Sequence, residues 1–222
     1  VGMLAIVLQL SQTLMDSVFT NALIRYKERT EIDYSTVFFF NILASLVIYF
    51  LIFFLAPYIS WFYKIGQLVE ITRILSIVIV LNSFAIIPKT KLIIAVDFKT
   101  QSKVSFIAAL VSGIIGIWAA YLDFGVWALV GQTLVNGLLI VVLYAYFCRW
   151  KPLWIFSLKS FRLLFAFGSK LVLANILNTL YKNLYAIVIG KKFSSVDLGF
   201  YTRAEQFAQF PSYNLSAIIS RV

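Results

Sequence analysis

Residues 37–56 read VFFFNILASLVIYFLIFFLA, and Pro57 follows. This run of 20 residues carries only Asn41 and Ser45 as clearly polar side chains and has no charge. A membrane-spanning helix needs about 20 mostly apolar residues. The stretch therefore predicts a span from Val37 to Ala56, stopped by Pro57.

The same pattern recurs on both sides. A first span covers roughly 2–24, interrupted by Gln9, Gln12, Asp16 and Asn21. The third is expected over about 68–95, with Pro88 marking a kink or the end. The fourth covers 104–122, the fifth 126–147 and the sixth about 166–190, and a seventh begins around 198–211. The connections are short and leave no room for a soluble domain. Composition agrees: of 222 residues 62% are hydrophobic and 13% charged, against about 45–50% and about 25% in soluble domains. The expected fold class is an all-α membrane protein, a polytopic helical bundle. Val1 is not Met and the chain ends inside an apolar stretch, so it reads as a piece of a longer protein.

Charge sets the orientation. The first–second, third–fourth and fifth–sixth connections carry Arg25, Lys27, Arg29, Lys89, Lys91, Lys99, Lys103, Arg149, Lys151, Lys159 and Arg162. The alternate connections hold only Lys64, Lys191, Lys192 and Arg203. Eleven against four, by the positive-inside rule, places the first set in the cytoplasm. Every basic cluster abuts a span, which argues against nucleic acid as a partner. In the fifth–sixth connection Trp150, Pro152, Trp154, Phe156, Phe161 and Phe165 alternate with the basic residues. It is either a headgroup-layer linker between two lobes or a plain loop with an aromatic belt.

Enzyme chemistry finds little support. The chain has no histidine and one cysteine, Cys148. This excludes His-based metal sites and Ser/Cys–His catalysis within it. No Gly-rich phosphate loop is present, and no cofactor is expected.

Polar residues inside spans carry the candidate site. Gln9, Gln12, Asp16 and Thr20 share one face of the first span. Asn175, Asn178, Lys182 and Tyr185 do so on the sixth, Gln132 and Asn136 on the fifth, and Glu70 and Arg73 sit close on the third. Such faces must look at protein or water. Asp16 lies roughly 13 Å from the cytoplasmic end and Lys182 roughly 12 Å from the outer end. Lys182 is either a cavity cation for an anionic substrate or a structural partner of a helix carbonyl or of Asp16. Asp16 is either a coupling-ion or proton site or a structural ion-pair member. The amides are interhelical hydrogen bonds or sugar contacts. Ala108, Ser112 and Gly116, every four residues, predict a close-packing face. A weak repeat at a constant offset relates Gly2, Gln9 and Gln12 to Gly199, Gln206 and Gln209.

Two stretches carry a more specific resemblance. One is Asn21-Ala22-Leu23-Ile24-Arg25, Arg29-Thr30-Glu31 and Asp33-Tyr34-Ser35-Thr36-Val37-Phe38. The other runs from Phe167-Gly168-Ser169-Lys170 through Asn178-Thr179-Leu180-Tyr181 and Val188-Ile189-Gly190-Lys191. It continues in Asp197-Leu198-Gly199-Phe200-Tyr201-Thr202-Arg203-Ala204-Glu205-Gln206 and Asn214-Leu215. Together they resemble the polysaccharide transporter (Wzx-type flippase) family of the MOP exporter superfamily. The resemblance implies two six-helix lobes of MATE-like fold around a cavity. Residues 1–147 would form most of the first lobe without its first span, 148–165 a cytoplasmic interfacial linker, and 166–222 the start of the second lobe.

The resemblance further implies alternating-access transfer of undecaprenyl-diphosphate-linked oligosaccharide across the bacterial inner membrane, for lipopolysaccharide or exopolysaccharide synthesis. Membrane lipid, polysaccharide assembly proteins and Na⁺ or H⁺ would be its partners. On that reading Lys182 and Arg73 draw the diphosphate, while Asn175, Asn178, Tyr185, Gln9 and Gln12 line the sugar path. Asp16 would bind the coupling ion. The alternatives are an ion-coupled drug or metabolite exporter of the same superfamily, or a membrane-embedded polymerase or ligase.

Overall fold

The computed structural model describes residues 20, 22–24, 26, 28–193, 196–205 and 207–208, with the side chains of 167–176, 180 and 182 excepted. Six helices follow in order: α1 Glu31–Tyr63, α2 Leu68–Leu75, α3 Ile77–Ile94, α4 Phe98–Tyr121, α5 Val126–Cys148 and α6 Leu158–Lys192. Residues 196–205 form a further helical stretch, and no strand occurs among the described residues. Four segments are long and apolar enough to cross a membrane: α1, α2 with α3, α4 and α5. The expected first span, with Gln9, Gln12, Asp16 and the repeat that involves them, lies outside the described residues.

Helix α1 begins where the chain supplies its own cap. The Thr30 hydroxyl accepts from the Asp33 amide, and the Asp33 carboxylate accepts from the Thr30 amide at 2.7 Å. This reciprocal pair satisfies donors that a helix start leaves open. The helix runs 33 residues, through Pro57. The expectation that Pro57 ends it is therefore corrected, and the reason is tertiary. Pro57 has no N–H, so the Phe53 carbonyl one turn earlier loses its donor. Arg73 of α2 points its Nε at that oxygen from 3.5 Å. Neighbouring helices commonly supply proline-freed carbonyls in this way within membranes.

Pro88 likewise lies inside α3, which continues to Ile94. The interruption of the 68–94 segment falls instead at Ser76, between α2 and α3. The Ser76 hydroxyl donates to the Arg73 carbonyl at 2.8 Å, and the Thr72 hydroxyl to that of Leu68. Such back-bonding competes with the helical ladder and bends it.

Three helix ends share one device. Lys64, Val96 and Asp123 each have φ of 57°. The following amide in each case reaches back to the carbonyl five residues earlier, as Asp97 N–H does to Leu92 at 2.9 Å. This is the Schellman closure usually given to glycine, made here without it.

Packing is layered. α3 lies between α1 and α5, and α5 lies between α3 and α4. The α2–α3 span is the inner one: 56% of its apolar window is buried, against 17–22% for the other three spans. α1 faces α3 with a stripe of Val37, Asn41, Ser45, Ile52, Ala56 and Ser60. Ser45 and Ser83 bond across it at 3.2 Å. α4 buries Val104, Ala108, Ser112 and Gly116, the expected small-residue face. A Cβ on Gly116 would stand 3.0 Å from Gln132 of α5, so that close approach needs glycine.

Helix α6 starts at Leu158, two turns before the expected 166. At about 1.5 Å per residue its 35 residues span about 52 Å, well beyond a core of about 30 Å. Only residues 149–157 are left as an irregular connection.

Candidate functional site

Lys91 donates to Glu31 at 2.6 Å, and Trp150 Nε1 donates to the other Glu31 oxygen at 2.8 Å. Three connections thus meet at one end of the bundle, called here the basic end. Tyr63, Lys64, Leu68 and Lys191 lie at the opposite, far end.

Helix α6 borders the far half of the bundle. Thr179 and Ala186 are buried, and Ala186 belongs to an apolar cluster with Leu68, Ile71 and Leu75 of α2, Val130 of α5, and Leu198. Position 182 falls between Thr179 and Ala186 in helical register, at spacings of three and four. Asn178 and Tyr185 stand at the edge of that packed face and are exposed, Tyr185 by 70%. The backbone therefore places the polar row of α6 where the packed face meets an open one. The side chains of Asn175 and Lys182 lie outside the description.

Arg73 is half-buried, with its guanidinium carbon 4.2 Å above the Phe53 ring of α1. This stacking, with the Nε contact to the Phe53 carbonyl, turns it toward α1. Leu68, Ile71 and Leu75 form the α2 face that shares a cluster with α6. Arg73 lies about 160° round the helix from Leu75, at about 100° per residue. Arg73 and the α6 row are thus set on different faces of α2. Glu70 does not pair with Arg73; among the described residues Lys91–Glu31 is the one salt bridge.

The fifth-span amides serve packing. Gln132 fills the space over Gly116, and Asn136 Oδ1 is buried without a partner. Asn183 of α6 donates to the Thr179 carbonyl of its own helix at 2.8 Å.

Sequence reasoning missed two contact residues. Lys191 Nζ donates to the Phe62 carbonyl at 2.7 Å and lies 3.9 Å over the Phe62 ring. α1 has no basic residue in its own last turn, so α6 supplies the cation that a helix C-terminus favours. That absence was the available signal. Glu31 was visible only as part of a motif. Its role as acceptor for Lys91 and Trp150 spans 60 and 119 residues of sequence.

Comparison with known proteins places this geometry. The family described as "Polysaccharide biosynthesis protein" matches residues 1–222. The chain is 28% identical over 214 residues to the teichuronic acid biosynthesis protein TuaB of Bacillus subtilis, covering 96% of this chain and 44% of that protein. It is 25% identical over 194 residues to the succinoglycan biosynthesis transport protein ExoT of Rhizobium meliloti, covering 87% and 39%. It is 27% identical over 225 residues to the lipopolysaccharide biosynthesis protein WzxC of Escherichia coli, covering 98% and 44%. The chain thus spans less than half the length of these relatives. No solved structure matches. A polytopic helical bundle matched from its first residue to its last, the chain belongs to the polysaccharide biosynthesis protein family.

Proposed function

We propose that the chain forms part of a transporter that moves an undecaprenyl-diphosphate-linked oligosaccharide across the bacterial inner membrane by alternating access. The observation that carries this reading is the family match over all 222 residues of a bundle built from membrane spans. The printed names of the relatives, which speak of polysaccharide biosynthesis and in one case of transport, support it. The basic end faces the cytoplasm on this reading. Residues 1–147 belong to one lobe, and α6 opens the next.

A diphosphate in a low-dielectric cavity is strongly attracted to lysine and arginine. Lys182 is the first such contact. Arg73, on another face of α2, serves a different position of the headgroup, since only its Nε is directed at Phe53. Asn175, Asn178, Tyr185, Gln9 and Gln12 offer amides and a ring to the sugar. Asp16 holds the coupling ion, Na⁺ or H⁺.

The test uses the full-length protein in sealed liposomes carrying a fluorescent lipid-linked oligosaccharide and an impermeant glycosidase. The sugar becomes exposed faster than in empty liposomes. Lys182→Ala slows exposure about tenfold, equivalent to about 1.4 kcal/mol, with an unchanged amount of protein in the membrane. Exposure no faster than in empty liposomes overturns the flippase reading. Normal transport by Lys182→Ala removes that residue from the path.

A further inference from the structure

The connection between α5 and α6 is held to α1 by a series of contacts that advance around the helix axis. Trp150 packs edge-on against Phe38 at 5.4 Å and donates to Glu31. The Leu153 amide donates to the Ser35 hydroxyl at 2.9 Å. Trp154 lies 5.4 Å from Phe39. The Ser157 amide donates to the Thr36 hydroxyl at 3.1 Å, and Phe161 lies 5.0 Å from Phe40. Successive helix residues are about 100° apart. Placed on that wheel, the α1 partners run in the order Phe38, Glu31, Ser35, Phe39, Thr36, Phe40. The connection meets them in its own chain order, so it winds about 200° around α1.

The rest of the circumference is closed by the core, and Asp33, Tyr34, Ser35, Thr36 and Val37 are buried in unbroken succession. Five consecutive buried residues on a helix mean that it is surrounded at that level. The hydroxyls of Ser35 and Thr36 also donate to their own helix, to the Glu31 and Ile32 carbonyls at 2.8 and 2.7 Å. Each hydroxyl proton is thereby used, and each oxygen is oriented to accept from the connection.

The far end of α6 is held differently. Lys191 makes one directional bond to α1, and the remaining contact is the apolar cluster around Leu68, Ile71, Leu75, Val130 and Ala186. In a bilayer, lipid tails replace such apolar contacts at little cost, whereas buried hydrogen bonds have no substitute there.

We propose that residues 149–161 are a strap that makes the basic ends of α1 and α6 one body, so that α6 pivots there and parts from α2 and α5 at its Lys191 end. The proposal rests on the transport reading for its purpose, but its geometry is measured independently. In a Cys148→Ser background of the full-length protein in liposomes, spin labels are placed at Ile32→Cys with Leu158→Cys and, separately, at Trp61→Cys with Phe193→Cys. All four sites are exposed. Two distance populations at the far pair and a single narrow one at the basic pair are expected. A basic pair that separates, or two pairs that both stay single, overturns the proposal.

A disulfide between Ser35→Cys and Leu153→Cys gives the functional arm. It should form readily and leave sugar exposure within twofold of the reduced protein. Transport abolished by oxidation and restored by reductant shows that the strap must open, and overturns the pivot. A protein that exposes no sugar in any form defeats the flippase reading alone, and the distance distributions still decide the strap.

Discussion

The two ends of α6 meet α1 by unlike chemistry. At the basic end the contacts are directional and numerous: one carboxylate with two donors, two hydroxyls each taking a backbone amide, and three successive phenylalanines each facing an aromatic ring. At the far end one lysine reaches one carbonyl beside an apolar cluster. Directional contacts fix register, and apolar contacts between helices in lipid do not. The difference teaches that holding and moving can be assigned to opposite ends of a single helix.

Substitutions can break this contrast. Glu31→Ala removes the acceptor of both Lys91 and Trp150. Because Glu31 is half exposed, the loss is about 1.5 kcal/mol. Trypsin should then cleave after Arg149 and Lys151 about tenfold faster, a rate read from gel bands of reconstituted protein. Unchanged cleavage would mean that Glu31 does not hold the strap.

Val96→Gly sharpens the contrast from the same end. A β-branched residue at φ 57° is strained by about 1 kcal/mol. Glycine should raise the melting temperature in detergent while leaving trypsin cleavage of the strap as it was. A lower melting temperature would remove the strain at that turn. Lys191→Ala has a smaller effect, about 0.5–1 kcal/mol for one exposed charged hydrogen bond. The separated population of the far spin-label pair should grow two- to fivefold, with no change at the basic pair.

The smallest effect concerns Asp97, the cap of α4. The Thr100 hydroxyl and amide, donating at 2.6 and 3.0 Å, hold its carboxyl below the usual carboxylate range. A depressed carboxyl stabilises the folded state fully above its ordinary pKa of 3.8. It loses that contribution as pH falls through the lower, folded value. Asp97→Asn should therefore flatten the acid limb of the stability curve below pH about 4, measured by thermal melts. An identical acid limb would exclude Asp97 from it.

Much of the fold was legible in the sequence because apolar run length is a local property. The spans 37–56, 104–122 and 126–147 fall within α1, α4 and α5 with ends adjusted by a few residues. The stripe Ala108, Ser112 and Gly116 is a periodicity, and it is buried as such. Pro57 was misread because its cost depends on a donor 16 residues away, at Arg73. The break at Ser76 depends on where two hydroxyls turn. The candidate site was legible only as a row. That Asn178 and Tyr185 border the packed face of α6, and that Arg73 turns to α1, are matters of neighbours. The strap was visible as a basic aromatic segment, but its partners on α1 were not.

The closed ring around residues 33–37 of α1 has a consequence for the substrate's own lipid. A polyprenyl chain travelling with a sugar headgroup needs a seam between helices along which its tail can lie. At this turn α1 presents no such seam, since core and strap together leave it no lipid-facing side. A tail entering from the basic leaflet must come in elsewhere, and helix α1 serves there as a wall.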